Sequence, residues 1–177
     1  KQIESLAKQI EQLTAQVTVP VVEERTNIDA ILAEAAENPF EYHEVANFDE
    51  HVKVQYMKML LAVFEYTSTR LDERYQFAAK IYYTLNIQTD FLLLLQKSKT
   101  LSVQDVRNFV TIVQETEITE HFVIDLLMIA GVEQQSITMQ YVAKVVAAMA
   151  VSEKNFKTYC QLTTAILTVD HDTIYEL

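Results

Sequence analysis

Hydrophobic residues recur at spacings of three and four along most of the chain, the period of amphipathic α-helices. From Asp49 onward this pattern predicts successive helices over residues 49–64, 71–85, 91–95, 103–113, 118–130, 137–150 and 153–167. Polar connections of about three to six residues separate them, which favours antiparallel neighbours. The sequence therefore predicts an all-α fold, a compact bundle of about seven antiparallel helices.

The N-terminal segment carries a separate heptad pattern. Its apolar positions alternate between a and d and are Ile3, Leu6, Ile10, Leu13 and Val17. β-branched residues at a with mostly Leu at d favour a two-stranded coiled coil. So short a helix can equally fold back on its own domain, and the pattern leaves both arrangements open. We expect these five residues to bind a protein partner or a second copy of the chain.

Three regions follow from these patterns. Residues 1–19 form the heptad helix, which Pro20 ends because the residue before a proline is pushed toward extended backbone. Residues 20–48 form a hinge, a short helix capped at Thr26 and an aromatic loop over 40–48 that we expect to lie on the core. Residues 49–177 form the bundle. The heptad already runs at Lys1, so we expect the chain to be the C-terminal part of a larger protein.

Composition narrows the possible functions. With 1 Gly and 2 Pro in 177 residues, against about 12 glycines at average usage, glycine-rich phosphate loops and all-β folds are excluded. A net charge of −11 disfavours direct binding to nucleic acid or anionic membranes. The apolar runs are too short to insert into a bilayer. The single cysteine, Cys160, allows no intrachain disulfide and favours a cytoplasmic location.

The chain shows no catalytic or metal-binding signature. None of the four histidines has a Glu three residues before it, as di-metal helical bundles require. Two acidic groups remain: Glu41, His43, Glu44, Asp49, Glu50 and His51, and the tail residues Asp170, His171 and Asp172. Such groups can bind metal or transfer protons, but charge runs are usually exposed. We predict no catalytic residues, no metal ligands and no cofactor.

Aromatic residues are concentrated near one predicted helical hairpin. Tyr66, Tyr82 and Tyr83 lie there, and tyrosine is enriched at interface hot spots, although core packing explains most such residues. These three tyrosines are candidate interface residues.

The chain also shows a possible internal duplication of a helical hairpin. Residues 60–63 match 126–129, and residues 79–81 match 143–145. This pattern resembles the tellurite-resistance TerB-like domains, which are all-helical and built from duplicated hairpins. The Ile and Leu anchors of the family turn match Leu71 and Ile137, whereas Tyr75 and Tyr141 replace the family's metal-associated Glu. The resemblance implies a similar fold in a bacterial stress-response or phage-defence protein, without the metal chemistry.

These observations favour a non-enzymatic protein–protein interaction module. One alternative is an acidic inhibitor or immunity-type protein whose negative surface occupies a basic site on its target. A second alternative is a degenerate TerB-like domain that still binds a divalent metal.

Overall fold

The computed structural model describes residues 2–16, 26–131 and 136–168 and is all-helical over these ranges. The α-helices are α1 Gln2–Gln16, α2 Ile28–Glu37, α3 Glu50–Leu61, α4 Leu71–Leu85, α5 Phe91–Ser98, α6 Val103–Thr116, α7 Thr119–Ala130, α8 Ile137–Ala148 and α9 Glu153–Thr168. Two 3₁₀ helices, Glu44–Asn47 and Ala62–Tyr66, flank α3. The prediction of an all-α bundle is confirmed, and the described residues after Asp49 contain seven α-helices.

Helices α3 and α7 form the centre of the bundle. Helix α3 packs against α4, α5, α6 and α7, and α7 also contacts α4, α8 and α9. The two helices supply much of the fully buried core: Tyr56, Met57, Leu60, Leu61, Phe122, Val123, Leu126 and Leu127. Helix α2 packs on α4, so residues 28–37 belong to the packed body of the protein.

Side-chain caps begin most of the described helices, as local sequence predicts. Asp49 caps α3 and Asp90 caps α5. Ser102 and Asp105 form a capping box that starts α6, in which each side chain accepts a hydrogen bond from the other's backbone N–H. The predicted cap of α2 at Thr26 is wrong, because Asn27 accepts from the N–H of Ala30 and begins the helix one residue later.

The first long apolar stripe does not form one continuous α-helix. It changes to a 3₁₀ helix at Ala62, and aromatic side chains of this 3₁₀ segment pack against α4 on one side and α8 on the other. Phe64 stacks on Tyr75 of α4 at 3.9 Å between ring centroids, and Tyr66 stacks on Tyr141 of α8 at 4.3 Å. Tyr75 and Tyr141 are thus packing residues.

The aromatic segment before α3 lies on the core, as expected. The Phe40 N–H donates to Thr84 Oγ1 over 2.9 Å, and the Phe40 ring packs edge-on against Phe77. Val45 is fully buried.

The two proposed hairpin copies, α3–α4 and α7–α8, share several features. Leu60 and Leu61 are fully buried, as are their counterparts in α7. Asn86 after α4 and Ala150 after α8 both adopt left-handed backbone. Ala79 is buried whereas its counterpart Ala143 is exposed. The duplication and the TerB relationship remain predictions.

Candidate functional site

Helix α1 lies in a groove between α6 and α8 of its own chain. Leu6 and Ala7 are buried there, at 7% and 8% exposure, and Ile3 and Ile10 pack at the edges of the core. Complete burial of a leucine side chain stabilises by about 1.5–3 kcal/mol. The structure therefore turns the apolar face of the heptad helix inward, onto the bundle.

Polar contacts also join α1 to the bundle beyond this apolar face. The Tyr66 hydroxyl donates to the backbone oxygen of Ile10 over 3.4 Å. Arg107 of α6 donates to Glu4, with 2.5 Å between Nη2 and Oε1. Both residues of this ion pair are substantially exposed, so the pair orients α1 more than it stabilises it.

The structure describes the side chains of three of the five predicted partner-binding residues. Ile3, Leu6 and Ile10 share the face that contacts the groove. The side chain of Leu13 and all of Val17 lie outside the described residues.

The three candidate aromatic residues have different environments. Tyr66 is buried beside α1. Tyr82 packs edge-on against Phe91 and donates its hydroxyl to the backbone oxygen of Thr89, and Tyr83 packs against Tyr82. Tyr66 therefore belongs to the α1 groove, whereas Tyr82 and Tyr83 lie at the α4–α5 connection.

A largely buried polar cluster that the sequence did not indicate connects the aromatic segment to α3 and α7. Asp125 Oδ2 accepts from the Tyr56 hydroxyl at 2.6 Å and contacts His43 Nε2 at 2.7 Å. His43 Nδ1 accepts the backbone N–H of Val45, so Nε2 carries the proton and donates to Asp125. Burial, together with the nearby Asp125 charge, raises the pKa of Tyr56 well above its usual value.

This arrangement can hold the segment in place, and it leaves neither ring nitrogen of His43 free to act as a base. Both imidazole nitrogens of His43 are engaged, and Tyr56 keeps its proton through the neutral range. His43 and Tyr56 are 82 and 69 positions from Asp125 in the chain, so no short motif could have indicated the cluster.

Three carboxylates of the first acidic group have separate structural roles. Asp49 caps α3, Glu44 accepts from the Tyr42 hydroxyl, and Glu50 accepts backbone N–H groups of Gln88 and Thr89. Across the described ranges, no three His, Cys, Asp or Glu side chains converge as metal ligands would. Asp170, His171 and Asp172 lie outside those ranges.

Cys160 is a half-buried free thiol on α9, and burial raises its pKa. Among the described helices, none is both long enough and apolar enough to span a bilayer.

Comparison with protein-family models, curated proteins and solved structures found no match to this chain.

Proposed function

We propose that this protein is a non-enzymatic interaction module that binds an amphipathic helix in the groove between α6 and α8. The observation that carries the proposal is the position of α1, whose apolar residues Ile3, Leu6, Ala7 and Ile10 contact this groove. Their spacing of i, i+3, i+4 and i+7 is the one by which helices bind in apolar grooves. Helix α1 thus serves as a model of the ligand.

Helix α1 depends on the groove for much of its stability. A 15-residue helix is marginal in water, and tertiary packing normally stabilises it. Since α1 belongs to the same chain, its effective concentration at the groove is on the order of millimolar. A partner helix must compete with α1, so the chain's own helix regulates access.

The partner that fits the groove is a helix with the pattern of α1, from another protein or from a second copy of this chain. An acidic residue one position after the first apolar anchor would contact Arg107, as Glu4 does. The cytoplasmic location and the bacterial stress-response or phage-defence setting are part of the same proposal. The free thiol of Cys160 supports the former, and the TerB resemblance supports the latter.

The test uses the full chain with α1 disabled and a peptide of residues 1–19 supplied separately. Leu6→Asp places a charge at a buried position and should release α1, whereas Gln12→Asp makes the same charge change at an exposed position. Fluorescence anisotropy of the labelled peptide is expected to show saturable binding to the Leu6→Asp chain. Binding to the Gln12→Asp chain and the unaltered chain should be much weaker.

The proposal is wrong if the Leu6→Asp chain, still helical by circular dichroism, binds the peptide no better than the Gln12→Asp chain. A peptide that itself carries Leu6→Asp should not bind. Salt dependence separates the acidic-inhibitor alternative, because binding through surface charge falls steeply with salt, whereas apolar docking does not.

A further inference from the structure

Beneath α1 the bundle leaves a cavity of about 410 Å³. This volume lies within the range of about 300–1,000 Å³ that is typical of small-molecule sites. The walls come from α1, α3, the second 3₁₀ helix, the end of α5 with the connection after it, α6 and α8. A molecule in the cavity would touch both the N-terminal helix and the body of the protein.

The inner part of the cavity is lined by buried apolar side chains. Met59, Val106 and Val145 line it and are at most 8% exposed, and Leu6 and Ile10 close it on the α1 side. The hydroxyl of Ser98, a buried polar group in the wall, donates to the backbone oxygen of Leu95 at 2.6 Å. This part of the cavity therefore suits an alkyl chain.

The rim of the cavity is polar and carries net negative charge. Glu65 and Lys99 lie there 3.9 Å apart and offset each other's charge. Glu11, also at the rim, is exposed and adds a second carboxylate. The net charge of −11 over the chain acts in the same direction, favouring a cationic head group over an anionic one.

We propose that this cavity binds a single-chain amphiphile, with its alkyl body among Met59, Val106 and Val145 and its cationic head group at the rim near Glu11. Because both α1 and the bundle line the cavity, such a ligand stabilises α1 in its docked position by mass action. The proposal requires α1 to be docked but does not require the groove to bind a partner helix.

The test is a titration of the full chain with decylamine, decanol and sodium decanoate, each below its micelle concentration, followed by calorimetry at neutral pH. The three probes share one alkyl chain and differ in head-group charge, since an alkyl ammonium stays protonated at this pH as lysine does. We expect decylamine to bind with a stoichiometry of one and most tightly, and decanoate least tightly. Glu11→Gln should reduce the preference for decylamine over decanol by about two- to fivefold, and Glu37→Gln, an exposed site on α2, should not.

Two further measurements locate the bound molecule. Val103→Phe fills part of the cavity and should weaken decylamine binding by about tenfold or more, while Val151→Phe, at a half-buried position outside it, should not. In the unaltered chain, decylamine should shift the methyl resonance of Met59, which lines the cavity, and leave that of Met149 unchanged.

Four results would overturn the proposal. They are no saturable binding of any probe, equal or tighter binding of decanoate, decylamine binding that Val103→Phe leaves intact, and an unchanged Met59 resonance. Non-specific adsorption of decylamine to the acidic surface would appear as binding that Val103→Phe does not weaken. Failure of peptide binding in the groove, with decylamine still bound, would refute the proposed function and leave this site standing.

Discussion

Tyr66 donates a hydrogen bond to the backbone oxygen of Ile10 and so connects the N-terminal helix to the core. Its ring stacks on Tyr141 of α8, so the residue that contacts α1 is itself packed into the bundle. A buried side chain of the groove thus supplies a polar contact to the helix that lies in it.

Removing that hydroxyl should loosen α1 without unfolding the bundle. Tyr66→Phe keeps the stacked ring and loses the contact to Ile10, and a neutral hydrogen bond contributes about 0.5–1.5 kcal/mol. At 3.4 Å we expect the lower part of that range, or about two- to fivefold faster amide exchange in residues 2–12. Hydrogen-exchange mass spectrometry measures this. Tyr83→Phe, at a half-buried position on α4, should leave α1 exchange unchanged, and equal effects from both variants would contradict the account.

The Tyr56–Asp125 hydrogen bond should be a major local contribution to stability. Tyr56→Phe removes a buried hydroxyl that donates to a carboxylate, and such bonds contribute about 1.5–3 kcal/mol. Urea unfolding is expected to show a loss in that range. Tyr42→Phe removes a 2.9 Å bond to Glu44 on the exposed surface and should change the free energy of unfolding by less than about 0.5 kcal/mol. A loss below 0.5 kcal/mol for Tyr56→Phe would refute the role assigned to the cluster.

Stability should fall on the alkaline side of pH 10. Burial, with a smaller effect of the Glu65 charge, raises the pKa of Tyr75 to about 12. Burial also raises the pKa values of Tyr56 and Tyr141. The unfolded chain releases these protons near pH 10 while the folded chain retains them, so the stabilisation is complete below pH 10 and is lost as the pH rises toward 12.

The measurement is the free energy of unfolding in urea between pH 8 and 11.5. Each tyrosine that ionises only in the unfolded chain contributes a slope of about −1.4 kcal/mol per pH unit above pH 10. Tyr75→Phe should make the slope shallower by about one such contribution. A slope that this substitution does not change would show that Tyr75 ionises alike in both states.

A glycine at position 150 should stabilise the protein. Ala150 follows α8 with φ of 58°, a left-handed conformation that strains any residue with a Cβ and that glycine adopts freely. Ala150→Gly is expected to raise the free energy of unfolding by about 0.5–1 kcal/mol. Ala143→Gly, at an exposed position inside α8, should lower it by about 1 kcal/mol. Thermal unfolding of both variants tests this, and losses in both would show that Ala150 is not strained.

The helices and their caps could be predicted because they depend on residues close together in sequence. Ser102 and Asp105 are three positions apart, and both the cap and the helix after it follow from local chemistry. Asn27 and Thr26 are both suitable N-cap residues, so the sequence locates the start of α2 only to within one residue.

The position of α1 could not be predicted, because Ile3, Leu6 and Ile10 present the same apolar face to a partner chain or to their own bundle. The choice depends on the groove, which residues about 100 positions away help to form: Arg107 is 103 residues from Glu4. The contact of His43 with Asp125 could not be predicted for the same reason, because it depends on tertiary packing.

The most direct test of the helix-binding groove is photo-crosslinking with the 1–19 peptide in which photo-leucine replaces Leu6. The peptide is irradiated with the full chain carrying Leu6→Asp, and mass spectrometry locates the adducts. We predict adducts on the residues of α6 and α8 that line the groove, such as Val106 and Val145. Adducts confined to other helices, or none at peptide concentrations that saturate binding, would contradict the assignment of the groove as a helix-binding site.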